Sequence, residues 1–597
     1  MSQRYYPGNG GITRRGVLGA GAAAGFAPLL GTSVLGQTAS VTEICNTFVD
    51  RFAETSPILS GRVLGVGRNG GDVTDWSVDG AERTANLLRD TVAQLDATPP
   101  ADRKEEIAAG FLRDNCDAVL KGHEAGEHLR RMSTSIFTGP PAMLLSSFDL
   151  MERHTHGEIP VDRAERDSDW NRVAERMEAV PGAMSGYVQS LQTGLEAGLP
   201  ASRRMTLAVA DQCRSWAEAG WFASYVAGYD DGSLRTRLEQ AATAADRAYG
   251  ETAAWLRDTY APEAADAIGI GAERFAIQAD IWLGLQDLDL DATYAWATED
   301  YSRLVAEQER EAARVQSGAS LAEVRATLDT DPAHNIEGIA SFRDWAQALV
   351  DEAIAVLGRT EFDIPPQLRA CEVRMTEAGS GAMPFYLAPP EDFSSAAAVV
   401  WPTLGQTRLP TWSAVTTVFH ESVPGHHLQL GGTRLLDLTR VQRVGASAGH
   451  AEGWALYAER LMDELGWFDT PAKRLGFLSM QAFRAARVIV DIGLHTGRKI
   501  PTGFPGAGER WSEPRAIEAI ANASGFAPSA AALEVERYLG WPAQACSYKL
   551  GERTWIEGRA AAQSHAGASF DRKRWHADAL ALGPLGLTRL ARELSRI

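Results

Sequence analysis

Cysteine is scarce in this chain. Five occur in 597 residues, at positions 45, 116, 213, 371 and 546, and none forms a C-x-x-C pair. The scatter argues against a zinc ribbon and against a dense disulfide framework. Positive charge is in deficit: 58 Lys and Arg stand against 77 Asp and Glu, a formal net charge of −19. Nucleic acid and anionic membrane surfaces are therefore poor partners. Long apolar runs are also missing. The Ala/Gly-rich run that ends at Leu30 is too short and too rich in glycine for a membrane-spanning helix, so no integral membrane association is expected. No repeat of fixed period is present. What remains is an ordinary globular composition, 45% hydrophobic and 23% charged, in a chain long enough for one large domain or several.

The early residues read Thr13-Arg14-Arg15-Gly16-Val17-Leu18, then a mildly apolar run. Two arginines, a weak hydrophobic core and small residues ahead of a cut after Gly36 resemble a twin-arginine export signal. This predicts a signal over residues 1–36, the twin-arginine export machinery as a partner, and a periplasmic or extracellular destination. Residues 37–358 read mainly helical, with apolar residues at three- and four-residue spacing in 85–95, 184–199 and 205–226. Pro99-Pro100, Gly139-Pro140-Pro141 and Asp331-Pro332 read as breaks between helices. His123, His128, His154 and His156 lie in charged or turn-like surroundings and read as surface residues. Composition changes at residue 359. Short β-prone runs at 371–375, 384–387 and 396–401, bounded by Gly, Pro and Ser, predict a small sheet. The edge of such a sheet suits an extended peptide backbone.

The part from 359 to 597 is organised around Phe419-His420-Glu421-Ser422-Val423-Pro424-Gly425-His426-His427-Leu428-Gln429. It opens like the zinc-peptidase motif H-E-x-x-H. There two His on one helix face bind Zn²⁺, and the Glu takes a proton from the attacking water. Here the second His stands further along. Six residues of regular helix rotate by about 240°, so His420 and His426 would face apart. Seven residues return His427 to the same face, but about 10.5 Å along, too far for Zn–N bonds of about 2.0–2.1 Å. An unbroken helix cannot make the site. Pro424 offers no N–H to the carbonyl of His420, and Gly425 permits unusual backbone angles. The expectation is a bulged helix that brings His426 to the place of the i+4 His, with Glu421 as the base.

A catalytic zinc usually has three protein ligands and an open position. The next candidate is Glu452, in His450-Ala451-Glu452-Gly453-Trp454-Ala455-Leu456-Tyr457-Ala458-Glu459. Glu459, seven residues later, shares its helix face and is expected to orient a ligand His. Further on, Arg484, Arg487, Asp491 and His495 form a polar stripe on an otherwise apolar helix. One reading faces the stripe to the metal, with His495 stabilising an oxyanion and an Arg holding a substrate carboxylate. The other makes it an internal Arg–Asp network. Tyr548 is a second oxyanion candidate. Arg537 and Tyr386 join Arg484 and Arg487 as substrate-binding candidates.

Four blocks together resemble the bacterial domain-of-unknown-function 885 family: H-E-S-V-P-G-H-H-L-Q at 420–429, E-G-W-A-L-Y-A-E at 452–459, R-A-A-R-V-I-V-D-I-G-L-H at 484–495 and E-R-Y-L-G-W-P-A-Q-A-C-S-Y-K-L-G at 536–551. The family looks like a set of zinc metallopeptidases. More distantly it resembles mostly helical oligopeptidases and carboxypeptidases with H-E-x-G-H and a later Glu ligand. That comparison aligns their Gly-His with Gly425-His426 and favours His426 over His427. The chain departs from the family after Tyr386, where Ala388-Pro389-Pro390-Glu391-Asp392-Phe393-Ser394-Ser395 replaces an Asp-Gly-Ser-Arg-Pro-Gly-like loop. Substrate contacts of that loop do not carry over. The resemblance implies a mainly α fold, with a small β-sheet beside a deep cleft. It further implies Zn²⁺ on His420, His426 and Glu452, and short peptides or peptide-like amides as substrates. Two rivals are a metal-dependent ester or non-peptide amide hydrolase and a non-catalytic zinc- or peptide-binding envelope protein.

Overall fold

The helical periodicity of the first half is carried by long helices. Val78–Ala97 starts where the Ser77 side chain accepts the N–H of Gly80, and Leu87, Leu88, Thr91 and Leu95 lie on its buried side. The run at 184–199 belongs to Arg163–Glu196, which continues through Pro181. The run at 205–226 is two helices, Arg203–Glu218 and Trp221–Val226, divided at Gly220 with φ 59°. Only glycine takes that conformation without strain, and the apolar periodicity gave no sign of the division.

These elements come from a computed structural model that describes residues 39–67, 70–151, 162–229, 232–376, 383–389, 393 and 396–597. The twin-arginine segment, His154, His156 and most of the loop after Pro389 lie outside them. The fold is mainly α with small sheets. Its main hydrophobic core runs from Val41 to Leu594, and the helix Ile339–Thr360 crosses the expected boundary at 358. Residues on both sides of that boundary share one core. The five cysteines are free and buried. No helix of the described residues is long and apolar enough to cross a membrane.

The β-prone runs form a three-stranded sheet. Ala397–Pro402 is central and buried along its whole length. Cys371–Thr376 pairs with it in parallel and Phe385–Leu387 antiparallel, so that Val399 lies opposite both Val373 and Tyr386. A strand covered on both faces shows no polar alternation, which accounts for Ala-Ala-Val-Val-Trp. A second pair, Asn335–Glu337 with Arg408–Pro410, runs directly into the helix Thr411–Glu421. Thr411 Oγ1 donates to the His334 carbonyl at 3.0 Å and ties the start of that helix to the opposite strand.

Three more helices surround the motif: Ala448–Glu464, Pro471–Thr496 and Ser547–Ala566. Every residue of the second from Leu475 to His495 is buried. The first and third meet through glycine. A Cβ on Gly453 would stand 2.4 Å from the Gly551 backbone, and one on Gly551 would stand 2.1 Å from the Gly449 carbonyl oxygen. Only bare backbone permits this approach, which carries Tyr548 toward Glu452.

Candidate metal centre

The chain leaves the helix after Glu421 instead of bulging within it. Pro424 has no N–H for the His420 carbonyl, and Ser422 has already turned to φ −98°, ψ −131°. The Gly425 N–H reaches back to the Phe419 carbonyl at 3.1 Å. A wider turn then starts, with His427 N–H on the Ser422 carbonyl at 3.2 Å, and continues over His427–Gly431. Gly425 is needed for a reason other than the expected one. Its φ is not positive; instead a Cβ there would lie 1.9 Å from the His420 carbonyl oxygen. Trp454 holds the turn from outside, donating its indole N–H to the Pro424 carbonyl at 2.8 Å.

The result brings His420 and His426 together, with ring centroids 4.8 Å apart and planes at 83°. Glu452 Oε2 lies 3.4 Å from Nε2 of each. Two ligand atoms bound at about 2.0–2.1 Å with tetrahedral angles are about 3.3–3.4 Å apart, so this spacing fits one Zn²⁺. Two further observations agree. Glu452 Oε2 is buried without a hydrogen-bond partner. Glu459 Oε1 is 2.8 Å from His420 Nδ1, which donates to it, so that the proton a cation displaces is the one on Nε2. Glu459 in turn accepts from Thr416 Oγ1 at 2.8 Å. Glu421 completes the group: one atom each of His420, Glu421 and His426 fall within 4.8 Å of one another. Of the two carboxylates, Glu452 has the tighter distances to both imidazoles and suits a ligand. Glu421 stands close enough to serve a water at the site.

The charges are strongly coupled. Burial pushes the Glu452 carboxyl up, but the two imidazoles outweigh it and hold the carboxyl well below its ordinary value. Burial works against protonated His420, but Glu452 and Glu459 overcome it and raise the ring to about 9. A divalent cation would replace the proton held there. Glu421 is raised, chiefly by burial, against the opposing pull of His420 and His426. That is the direction a general base near neutrality needs.

Tyr548 lies against the pair, its ring 6.2 Å from His420 and tilted by 19°. Burial, then Glu452, raises its hydroxyl pKa, which keeps the proton on. Arg484 sits over the same ring at 5.3 Å. Other expected site residues are engaged elsewhere. His495 faces the core: its Nε2 donates to the Tyr538 carbonyl at 3.0 Å, and its Nδ1 accepts the Ile270 N–H at 3.4 Å. With both ring nitrogens on backbone, it has no hydrogen bond left for an oxyanion. Arg487 and Arg537 both bind Glu534 Oε2, at 2.8 and 2.9 Å, and Tyr538 donates to the same oxygen at 2.9 Å. They tie the helix Pro471–Thr496 to Pro528–Gly540 through a buried carboxylate. Tyr386 donates its hydroxyl to His427 Nδ1 at 3.1 Å, and His427 Nε2 donates to the Leu368 carbonyl at 3.0 Å. His427 is thereby turned away from the pair, and Tyr386 is its support. Asp491 lies beside Cys546, whose Sγ is 3.6 Å away, and burial raises its carboxyl well above the ordinary value.

His123 and His128 are stacked at 4.1 Å and 10°, and His123 meets Glu82 at 3.0 Å. They are half-buried, not free on the surface, and parallel rings do not converge on one ion. Glu534, Thr416 and the indole of Trp454 also take part, although no motif marks them. The spacing Glu534-x-x-Arg537-Tyr538 is the one local signal that pointed to the first.

A mainly helical protein with a His–His–Glu cluster beside a second, buried Glu is the class this geometry defines. The chain belongs to the family described as bacterial protein of unknown function (DUF885), which matches residues 60–594. Two solved structures share the fold. One is titled the "putative lipoprotein" from Colwellia psychrerythraea: 19% identity, TM-score 0.75, covering 93% of this chain and 99% of that one. The other is titled a "putative lipoprotein of unknown function" from Shewanella oneidensis: 17% identity, TM-score 0.72, covering 93% and 100%. No curated protein matches the sequence.

Proposed function

We propose that this chain is a zinc-dependent hydrolase that cleaves peptide bonds in short peptides or peptide-like amides. The observation that carries the reading is Glu452 Oε2 at 3.4 Å from Nε2 of both His420 and His426, with Glu421 alongside. His420, His426 and Glu452 would hold the ion, and Glu459 fixes the tautomer of His420. When bound there, zinc supplies Lewis acidity and lowers the pKa of water. Glu421 takes the proton from the attacking water and passes it to the leaving nitrogen as the C–N bond breaks. Tyr548 donates its O–H to the oxyanion that develops on the carbonyl. A purely structural zinc has four protein ligands and needs no base, so Glu421 favours the enzyme over a binding protein.

The reading includes export through the twin-arginine machinery to the periplasm or beyond. It is supported by Arg14-Arg15 with the weakly apolar run behind it, and by the lipoprotein titles of the two structural neighbours. Replacing Glu421 by Gln tests the chemistry. Zinc should stay bound while turnover of a peptide library falls by about 10²–10⁴. Unchanged turnover would remove Glu421 from its role.

A further inference from the structure

Arg484 is a buried cation with no direct ion-pair partner among the described residues. It is 5% exposed, and its Nε and Nη1 are buried with no hydrogen-bond partner. Glu421 feels its charge, but among the described residues no carboxylate forms an ion pair with it. Arg487, one turn further, holds Glu534 at 2.8 Å, and Arg460, on the neighbouring helix, holds Glu552 at 2.7 Å. A buried guanidinium is costly unless an anion meets it. The rings of Phe483 and Tyr548, at 5.5 and 5.3 Å, offset part of that cost but accept no hydrogen bonds in its plane. The in-plane N–H groups are therefore left open to an anion.

The place of this cation gives the chemistry. The Tyr548 ring under Arg484 is the ring that lies against His420. Those two separations put the guanidinium within about 12 Å of the His420 ring, a span of at most about three extended residues. A planar guanidinium matches a carboxylate with two parallel hydrogen bonds. We propose that Arg484 binds the free C-terminal carboxylate of the substrate, so that the enzyme cleaves within the last three residues of short peptides. The water oxygen joins the carbonyl carbon, the C–N bond breaks, and the released C-terminal fragment takes up a proton on its new amine. The inference rests on the hydrolase reading above for the cleavage, but not for the binding.

The test is calorimetric titration of the zinc-loaded mature chain carrying Glu421→Gln, with alanyl-alanine and with its C-terminal amide. The free acid should bind at least tenfold tighter. Adding Arg484→Gln should abolish that preference while zinc content stays. Arg484→Lys keeps the charge without the planar fork and should retain part of it, which guards against misfolding of the Gln variant. Equal affinity for acid and amide, or no binding of either, overturns the proposal. Turnover by the wild type separates the two readings. If no peptide is cut but the acid is still preferred, the hydrolase reading fails and the carboxylate site stands. If tripeptide acids and amides are cut equally well, the carboxylate site fails and the hydrolase stands.

Discussion

Trp454 donates its indole N–H to the Pro424 carbonyl at 2.8 Å, and Glu452 stands two residues before it on the same helix. The helix that supplies the third candidate ligand therefore also holds the turn that places the second. Trp454→Phe keeps most of the buried ring and removes the donor, leaving the Pro424 carbonyl unpaired. The loss should cost about 1–3 kcal/mol of stability. Zinc affinity should fall in step, because His426 follows directly from the turn. Urea unfolding and zinc titration of the same variant check both; a variant as stable as the wild type would show that the bond does not hold the turn.

Glu459 touches His420 Nδ1 at 2.8 Å and Thr416 at 2.8 Å. Glu459→Ala leaves His420 free to take the wrong tautomer. Zinc affinity should drop by about 10–100-fold, measured by competition with a chelator. Thr416→Ala removes only the outer bond and should have the smaller effect of the two. The reverse order would mean that Glu459 does not act through His420.

Gly425→Ala puts a methyl group 1.9 Å from the His420 carbonyl oxygen, against backbone that cannot swing aside. The turn must open, and the two imidazoles should separate. The expected result is a folded helical protein, judged by circular dichroism, that no longer retains zinc on gel filtration. Full zinc retention would contradict the close-approach account of this glycine.

Buried neutral histidines predict acid sensitivity. Burial lowers His450 to about 3 and His495 to about 4, against an ordinary value of 6.5. Below pH 6.5 the unfolded chain takes up protons on these rings and the folded chain does not, so stability falls as pH drops from 6.5 toward 4. Above 6.5 both states are neutral and these rings contribute no slope. His450 stacks on Trp555 at 5.3 Å, so Phe replaces it with little loss of packing. His450→Phe should lose about 2–3 kcal/mol less than the wild type between pH 6.5 and 4.5. Parallel stability curves would sink the assignment.

The approach of His420 to His426 was legible because both sit in one contiguous stretch. Pro424 and Gly425 declared that His420 and His426 could not lie on a regular helix, and Glu452, set among Ala, Gly, Trp and Leu, read as something other than a solvated face. The stripe on Pro471–Thr496 was legible only in part. So apolar a helix was expected to be buried on most sides, and it is buried all round, but the partners of its polar residues could not be read. Each polar residue then answers to a different neighbour. Arg487 meets Glu534, 47 residues later, and His495 meets the backbone at Ile270, 225 residues earlier. Spacing within one helix carries no information about such partners. The small sheet was found because Gly, Pro and Ser bound each strand, whereas the break at Gly220 was lost in an unbroken apolar rhythm.

The most direct measurement is the metal content of the mature chain from residue 37, for the wild type and for Glu452→Ala. The account predicts one zinc ion per wild-type chain and a large loss in the variant, with the unfolding midpoint of the metal-free proteins little changed. A well-folded wild type that holds no metal after zinc is added back would contradict it.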